Sequence, residues 1–321
     1  MILTTIGFYP REKAISKVLK KHNKGKIPKK EMEEELYTFS KKVIEEQISY
    51  GIDLPTTGLL AWDDLFTPVA NEIEGFSING LTRFFENNFY YHQPVAESDF
   101  GKITSTLSER FSKLRKDYPV KAVLPGPFTM AHMSINEHFE STEDFSVALA
   151  EKLHEIAVNF QEAGAQFLQI DEPLIVNRDM DKDDLALLKK TISIMVEDLE
   201  MKIGLYTYFG NVESVLSSVL ELPINVFGFD DVAHNNLKVI EEYHAENGLP
   251  EGIGLGLGAV DALNTKMEKP EELNDKYSRA KEIVGEENVN IGPNYSLDLI
   301  PYSKAQEKLQ NLGNVFKGGE N

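Results

Sequence analysis

Eight short apolar segments alternate along this sequence with longer segments of helical periodicity. The predicted strands are residues 2–7, 51–57, 121–126, 165–171, 202–208, 224–230, 252–258 and 288–293. The predicted helices are residues 30–50, 102–117, 143–164, 182–200, 212–221, 235–247, 270–285 and 302–312. This alternation is typical of a parallel sheet, and eight such units close a (β/α)8 barrel. The sequence therefore predicts an α/β fold, a TIM barrel formed as a single domain by residues 1–321.

Two connections are much longer than the others, residues 8–50 after the first predicted strand and residues 58–120 after the second. The second contains the aromatic motif GLTRFFENNFYYHQPV, residues 80–95. Loops at the carboxyl end of barrel strands build the active site, so this insertion is a candidate binding wall. A packed Ω-loop is the alternative.

The composition excludes several classes of protein and site. The chain has a formal net charge of −19, which argues against a nucleic-acid partner because such partners need clustered basic residues. It has no cysteine, so disulfides, thiolate nucleophiles and sulfur-ligated zinc are excluded. No apolar run is long enough to span a membrane, and the N-terminus lacks the pattern of a signal peptide. We therefore expect a cytoplasmic protein without a membrane partner.

Two adjacent carboxylates follow the fourth predicted strand in the segment FLQIDEPLIV, residues 167–176. Burying an unpaired carboxylate is costly, so Asp171 and Glu172 are expected to face a ligand or solvent. The carboxyl ends of barrel strands hold the chemistry of such enzymes. Asp171 and Glu172 are accordingly the candidate catalytic residues.

Two other motifs are weaker signals. The segment GIGLGLG, residues 252–258, alternates its glycines along a predicted strand and does not open a helix, so a barrel strand is favoured over a dinucleotide-binding turn. The seven histidines include no pair four residues apart, so a helical metal site is not predicted, although a mixed site of histidines and carboxylates from distant loops stays open.

The segment SKVLKKHNKGKIPKK, residues 16–30, contains seven lysines in an otherwise acidic chain. A solvated helix end is one interpretation, because charged runs usually face water. An electrostatic binding site for an acidic chain or an acidic partner is the other.

Seven motifs occur here in the order found in cobalamin-independent methionine synthase, and the chain resembles that family over nearly its whole length. They are TTIGFYPR (4–11), GIDLPTTGLLAWDD (51–64), TRFFENNFYYHQPV (82–95), LPGPFTMA (124–131), LQIDEP (168–173), TYFGN (207–211) and GLGLGAVDALNT (254–265). The resemblance implies methionine biosynthesis, by methyl transfer from methylfolate to homocysteine. Enzymes of this family consist of two related barrels. The second and third motifs resemble the amino-terminal barrel, which lacks zinc and helps to bind the methylfolate polyglutamate tail.

The resemblance also implies where zinc ligands would lie. In the catalytic barrel, His and Cys follow strand five, Glu follows strand six and Cys follows strand eight. The matching positions here are residues 206–209, residues 229–231 and Tyr295, and they offer only acids near the strand-six position. We therefore expect no metal ligand and no cofactor bound through cysteine, and we do not expect zinc.

The resemblance assigns further substrate-binding residues. Arg11, Lys13, Lys17 and Arg83 match the basic residues that contact the glutamate tail, and Tyr208, Asp230 and Tyr295 line the implied pocket. Aromatic residues of the long insertion are suited to stack on a pterin ring, although a core role is the alternative. They are Trp62, Phe84, Phe85, Phe89, Tyr90 and Tyr91.

Two functions follow as expectations. The first is a zinc-less methylfolate-binding or accessory barrel that acts with a separate zinc-containing barrel. The second is a free-standing methyltransferase for homocysteine or a related thiol, with a methylfolate or methylcorrinoid donor, in which Asp171 anchors a substrate amino group and Glu172 orients it.

Overall fold

The computed structural model describes residues 1–85 and 89–318. Residues 86–88 belong to the predicted aromatic insertion and lie outside the described residues. The chain divides into two compact units. The first unit comprises residues 1–61, 114–121 and 228–321, and the second comprises residues 62–113 and 122–227.

The strands form two sheets. They are β1 (Ile2–Leu3), β2 (Phe76–Arg83), β3 (Tyr90–Ala96), β4 (Ala122–Pro125), β5 (Ile135–Asn136), β6 (Phe167–Asp171), β7 (Lys202–Tyr206), β8 (Val226–Asp230), β9 (Gly254–Val260) and β10 (Val289–Pro293). Seven strands, β1, β4 and β6 to β10, belong to the larger sheet, and β2, β3 and β5 form the smaller one. Each strand of the larger sheet overlaps a predicted strand, so the predicted α/β fold is confirmed.

All eight predicted helices have a counterpart. The helices are α1 (Lys13–Asn23), α2 (Lys29–Ser49), α3 (Thr67–Ala70), α4 (Thr106–Arg115), α5 (Pro127–Met133), α6 (Thr142–Glu162), α7 (Lys182–Met195), α8 (Leu216–Val219), α9 (Asn236–Asn247), α10 (Pro270–Val284) and α11 (Tyr302–Gly313). The helix predicted at 212–221 is shorter than expected, and α1, α3 and α5 were not predicted. Among the described residues, no helix has the length and apolar composition needed to cross a membrane.

In the first unit the strand order is β1, β10, β9 and β8, and the pairs of β1 with β10 and of β10 with β9 are parallel. The strand predicted at residues 51–57 is reduced in the described structure to one parallel bridge between Thr4 and Leu54. Pro55 explains this difference, because proline has no N–H to donate to a strand ladder. The carbonyl of Pro55 nevertheless accepts a bond of 3.2 Å from the backbone N–H of Lys121. Residues 51–57 therefore lie beside the residue that precedes β4, as expected for the second predicted strand.

In the second unit β4, β6 and β7 are parallel neighbours, and all their residues except Lys202 at the start of β7 are buried. Strands covered on both faces read as continuous apolar runs, which is why the sequence located them correctly. Ser141 accepts a bond from the backbone N–H of Asp144 and thereby caps α6.

The aromatic insertion contains a β-hairpin and is not an irregular Ω-loop. Strands β2 and β3 are antiparallel, with Arg83 paired to Tyr90, and β5 adds a short third strand. Most of β2 is exposed, so its side chains show no alternation between an apolar and a polar face. A strand without that alternation cannot be recognised from its hydrophobic pattern.

A buried ion pair fixes the loop after β9 in the first unit. The Lys308 side chain in α11 is 0% exposed, and its Nζ lies 2.5 Å from a carboxylate oxygen of Glu268. Lys308 also donates to the carbonyl of Lys266, and Glu268 accepts a bond of 3.0 Å from the backbone N–H of Asp261. Lys308 and Glu268 together therefore connect the two ends of this loop.

We expect Lys308→Met to lower the free energy of unfolding by about 3–5 kcal/mol, because it leaves the Glu268 carboxylate buried without its counter-charge. The matched control is Lys304→Met in the same helix, where the lysine forms an exposed pair with Glu307 and the loss should stay within about 0.5 kcal/mol. Urea unfolding of both variants measures the difference. Equal losses would contradict the assigned role of Lys308.

Candidate functional site

In the second unit, the ends of three neighbouring strands bring the predicted carboxylates to one edge. Asp171 is paired in register with Pro125 of β4 and with Tyr206 of β7. Asp171 and Glu172 are both buried. The two residues predicted from the IDEP motif therefore lie at the carboxyl ends of buried parallel strands, where ligands of open α/β sheets bind.

The Glu172 carboxylate caps α5. Its two oxygens accept bonds from the backbone N–H groups of Phe128 at 3.0 Å and Thr129 at 2.8 Å. Pro127 begins the helix, where its missing N–H costs nothing. A side chain at Gly126 would place its Cβ 2.0 Å from the Glu172 carboxyl carbon, so only glycine fits beside this carboxylate. The candidate role of Glu172 in orienting a substrate remains a prediction, and its observed contacts are with the protein backbone.

Burial raises the pKa of Glu172 to about 7. The bonds from Thr129 and Phe128 act in the opposite direction, and the neighbouring Asp171 charge raises the pKa further. The carboxyl group is therefore poised to change its protonation near neutral pH, although it touches no solvent.

Asp171 is held by its own strand. The Gln169 Nε2 atom donates to the Asp171 carboxylate at 2.7 Å, and both side chains are buried. The Gln169 Oε1 atom is buried and has no hydrogen-bond partner among the described residues. An acidic acceptor and an amide acceptor thus lie two residues apart on one face of β6, a combination suited to the N–H groups of a ligand.

Two aromatic side chains, Tyr208 and Phe209, follow β7. Tyr208 is buried and meets Phe209 edge to face with ring centroids 5.0 Å apart. Phe209 has a φ of 69°, a conformation that non-glycine residues adopt at a cost. Its ring stacks on Phe89 of the hairpin at a centroid distance of 6.2 Å. Strained backbone and stacked aromatic rings are thus found directly after β7.

The other predicted aromatic residues divide into core and surface. Trp62, Phe84 and Tyr91 are buried, and Phe84 and Tyr91 pack around Phe66. Tyr90, in contrast, is 53% exposed. Trp62, Phe84 and Tyr91 are therefore core residues, and their role in stacking on a ligand stays a prediction.

In the first unit, Asp230 ends β8 and is held by amide donors. Its Oδ1 accepts from the backbone N–H of Val232 at 2.8 Å and from Asn294 Nδ2 at 3.0 Å. The Asn294 Oδ1 in turn accepts from the backbone N–H of Ala262 at 2.9 Å. The other carboxylate oxygen of Asp230 is buried and has no hydrogen-bond partner among the described residues.

Asp231 has a different environment from its neighbour. Its Oδ1 accepts from the backbone N–H of Leu237 at 2.7 Å, near the start of α9, and its Oδ2 lies 2.8 Å from Lys276 Nζ. Asp231 is therefore paired with a lysine, whereas Oδ2 of Asp230 has no hydrogen-bond partner among the described residues. A cavity of about 270 Å³ adjoins this loop and is lined by Val232, Ala259, Asp261 and Lys276 among others.

The basic residues expected to bind an acidic tail lie on the surface. Lys13 and Lys17 are exposed on α1, and Arg11, which precedes α1, is half-buried. Burial raises the pKa of Asp298 to about 6, and the nearby charge of Arg11 acts in the opposite direction. Arg83 is exposed at the end of β2 in the second unit, and Tyr295 is half-buried directly after Asn294. Their substrate-binding role stays a prediction.

The donor groups do not fit the thiolate zinc site implied by the resemblance. The chain contains no cysteine, and nowhere in the described part of the chain do three or more His, Asp or Glu side chains converge to hold a metal ion. The carboxylates at the strand ends are instead bonded to amide N–H groups or to lysine.

Three site residues were missed by the sequence analysis. Gln169, Asn294 and Lys276 each contact a predicted carboxylate. The position of Gln169 inside an apolar strand was the one available signal, because a buried amide requires partners. The contacts of Asn294 and Lys276 join residues more than 40 positions apart in sequence and left no local pattern.

The comparisons with known proteins identify the family. Residues 1–317 match the family model described as the catalytic domain of cobalamin-independent synthase. The chain belongs to the cobalamin-independent methionine synthase family. It is 27% identical to methionine synthase of Saccharolobus solfataricus, over 96% of this chain and 92% of that protein. The recognition of the family from its ordered motifs is thus confirmed, whereas the assignment to the amino-terminal barrel stays a prediction.

Two solved structures share the fold. One is a B12-independent methionine synthase from Shewanella sp. W3-18-1 in complex with selenomethionine, with a TM-score of 0.80, 18% identity and coverage of 98% of this chain and 96% of that chain. The other is a putative vitamin-B12 independent methionine synthase from Listeria monocytogenes, with a TM-score of 0.78, 17% identity and coverage of 98% of both chains. Similarity at this identity establishes the common fold.

The raised pKa of Glu172 predicts a pH-dependent stability. The folded protein binds more protons than the unfolded chain between the unfolded pKa and about pH 7, so stability falls as the pH rises through that window, by up to about 1.4 kcal/mol per pH unit. Glu172→Gln should remove this contribution, while exposed Glu140→Gln should retain it. Urea unfolding at about pH 5 and about pH 7 measures the slope, and an unchanged slope in Glu172→Gln would contradict the assignment.

Proposed function

We propose that this protein is an accessory barrel in methionine synthesis, which binds homocysteine or methylfolate polyglutamate and acts with a separate zinc-containing barrel. The observation that carries the proposal is the absence of cysteine from all 321 residues. Methyl transfer to homocysteine requires its thiolate, and a free thiol titrates at about pH 8.5. Zinc lowers that pKa in the family, and this chain lacks the thiolate ligands that hold it.

The strand-end carboxylates support a role in binding an amino acid. Asp171 is an acidic acceptor at the end of a buried strand, and Gln169 Oε1 offers a second acceptor beside it. A substrate ammonium group has three N–H donors and a positive charge, which match such a pair of acceptors. Selenomethionine bound in the Shewanella relative is an amino acid of this class.

Asp230 supports the same substrate class from the first unit. Its buried Oδ2 has no partner in the described structure, and Asn294 fixes the orientation of the carboxylate through Oδ1. A buried acceptor without a donor costs about 1–3 kcal/mol, and a ligand donor would recover that free energy. In the second unit, the aromatic residues Tyr208 and Phe209 are suited to an apolar or heterocyclic part of a ligand.

A free-standing methyltransferase is the second candidate. It would act on homocysteine or a related thiol and use a methylfolate or methylcorrinoid donor. The match of residues 1–317 to the catalytic-domain model favours it, as does the retention of Asp171 at the strand end. This candidate requires a means of activating the thiol that uses no cysteine-bound metal.

Methionine formation separates the two candidates. The purified protein, supplied with homocysteine, zinc and either methylfolate triglutamate or methylcobalamin, should form no methionine above the uncatalysed rate, because no thiolate-held zinc activates the acceptor. Added to a family member that keeps the cysteine ligands, it should raise the rate or lower the KM for methylfolate. That family member alone is the positive control. Turnover by this protein alone would overturn the accessory role and support the second candidate.

A further inference from the structure

The surface formed by α1 and the start of α2 is strongly basic, and the proposed function does not use most of it. The lysine face comprises Lys13, Lys17, Lys20, Lys21, Lys24, Lys26, Lys29 and Lys30. All eight side chains are exposed, and no Asp or Glu occurs from residue 13 to residue 30. Removing these eight charges from the net −19 leaves −27 on the rest of the chain. The lysine face is therefore a local exception on an acidic protein.

The helix geometry aligns these lysines. Lys13, Lys17 and Lys20 are spaced by four and three residues, so they lie on one side of α1. At 1.5 Å per residue, the row from Lys13 to Lys24 extends for about 16 Å. Ile15 is 1% exposed and faces the opposite side, towards the core. The basic row is thus a regular feature of the folded helix.

The charges of the lysine face are not neutralised within the chain. Lysines elsewhere pair with acids, as Lys189 does with Glu221 at 2.9 Å and Lys190 with Glu143 at 2.8 Å. Within the lysine face, Lys30 approaches Glu34 at 3.9 Å, and the other seven lysines form no ion pair with any described residue. Like charges four residues apart destabilise a helix, so this arrangement carries a cost that an anionic partner would remove.

Other features of the lysine face select the class of partner. Residues 13–30 contain no Arg, Phe, Tyr or Trp, so they lack the bidentate phosphate contacts and the large stacking platforms typical of nucleic-acid surfaces. Ile15 is buried and Leu19 is half-buried, so α1 has no free apolar side to insert into a membrane. A carboxylate-rich protein surface fits these conditions.

We propose that the lysine face docks an acidic surface of a partner protein. The row extends along α1, and it offers lysines that pair with carboxylates one by one. Pairing across several lysines would steer association and weaken with salt. This inference rests on charge and exposure alone and is independent of the proposed function.

Binding of the full-length protein to labelled polyanions tests the proposal. The probes are poly-L-glutamate of about 50 residues, triglutamate, a duplex DNA of about 20 base pairs and phosphatidylserine vesicles, at low and physiological salt. The triple variant K17Q/K20Q/K24Q alters the lysine face. The control K189Q/K238Q/K304Q removes the same charge from exposed lysines that pair with acids elsewhere.

The wild type should bind poly-L-glutamate in a salt-dependent manner and more tightly than the other three probes. The lysine-face variant should bind it about tenfold more weakly, because three contacts of a fraction of a kcal/mol each are lost, while the control should change less than about twofold. Equal effects of the two variants, tighter binding of DNA, vesicles or triglutamate, or no binding at low salt would each overturn the proposal. So would self-association of the wild type that the lysine-face variant abolishes, since the occupant would then be a second copy.

Discussion

The strand ends of the second unit depend on the contact between the Glu172 carboxylate and the first backbone N–H groups of α5. A carboxylate that is fully buried needs donors, and the two N–H groups of Phe128 and Thr129 supply them. The same residue donates its backbone N–H to the carbonyl of Tyr206 at 2.9 Å. Glu172 thereby connects the end of β6 to α5 on one side and to β7 on the other.

This contact explains two motifs together. Gly126 leaves the space that the carboxylate fills, Pro127 begins the helix and Glu172 caps it, so LPGPFT and IDEP encode a single structural unit. Asp171 is then presented at the strand end with Gln169 as its partner. Of these two adjacent acids, Glu172 is bonded to the backbone of α5, and the binding role of Asp171 is a prediction.

In the first unit, the adjacent acids Asp230 and Asp231 also have different contacts. Asp231 is committed to Lys276 and to the start of α9, whereas Asp230 is oriented by Asn294 and retains a buried acceptor without a partner in the described structure. In a family whose chemistry concerns an amino acid and its methyl donor, acceptors of this kind suit an ammonium group. The proposal of substrate binding without thiolate ligands rests on these acceptors and on the absence of cysteine.

Much of this arrangement could be predicted from sequence, and the failures have physical causes. Buried parallel strands leave apolar runs, so the ends of β6 and β8, and with them Asp171 and Asp230, were located correctly. The exposed strand β2 leaves no such pattern, and Pro55 turned a predicted strand into a single bridge. The partners Asn294 and Lys276 reach their carboxylates through tertiary contacts, which local periodicity does not encode.

The central claim is that Asp171 binds the amino group of an amino-acid substrate, and calorimetric titration with methionine tests it most directly. The wild type should bind methionine, and the deaminated analogue 4-(methylthio)butanoate should bind at least about tenfold more weakly because it lacks the ammonium group. Asp171→Asn should lose the preference for methionine, whereas the exposed control Asp183→Asn should keep it. Equal affinity of the wild type for both compounds, or an unchanged preference in Asp171→Asn, would contradict the account.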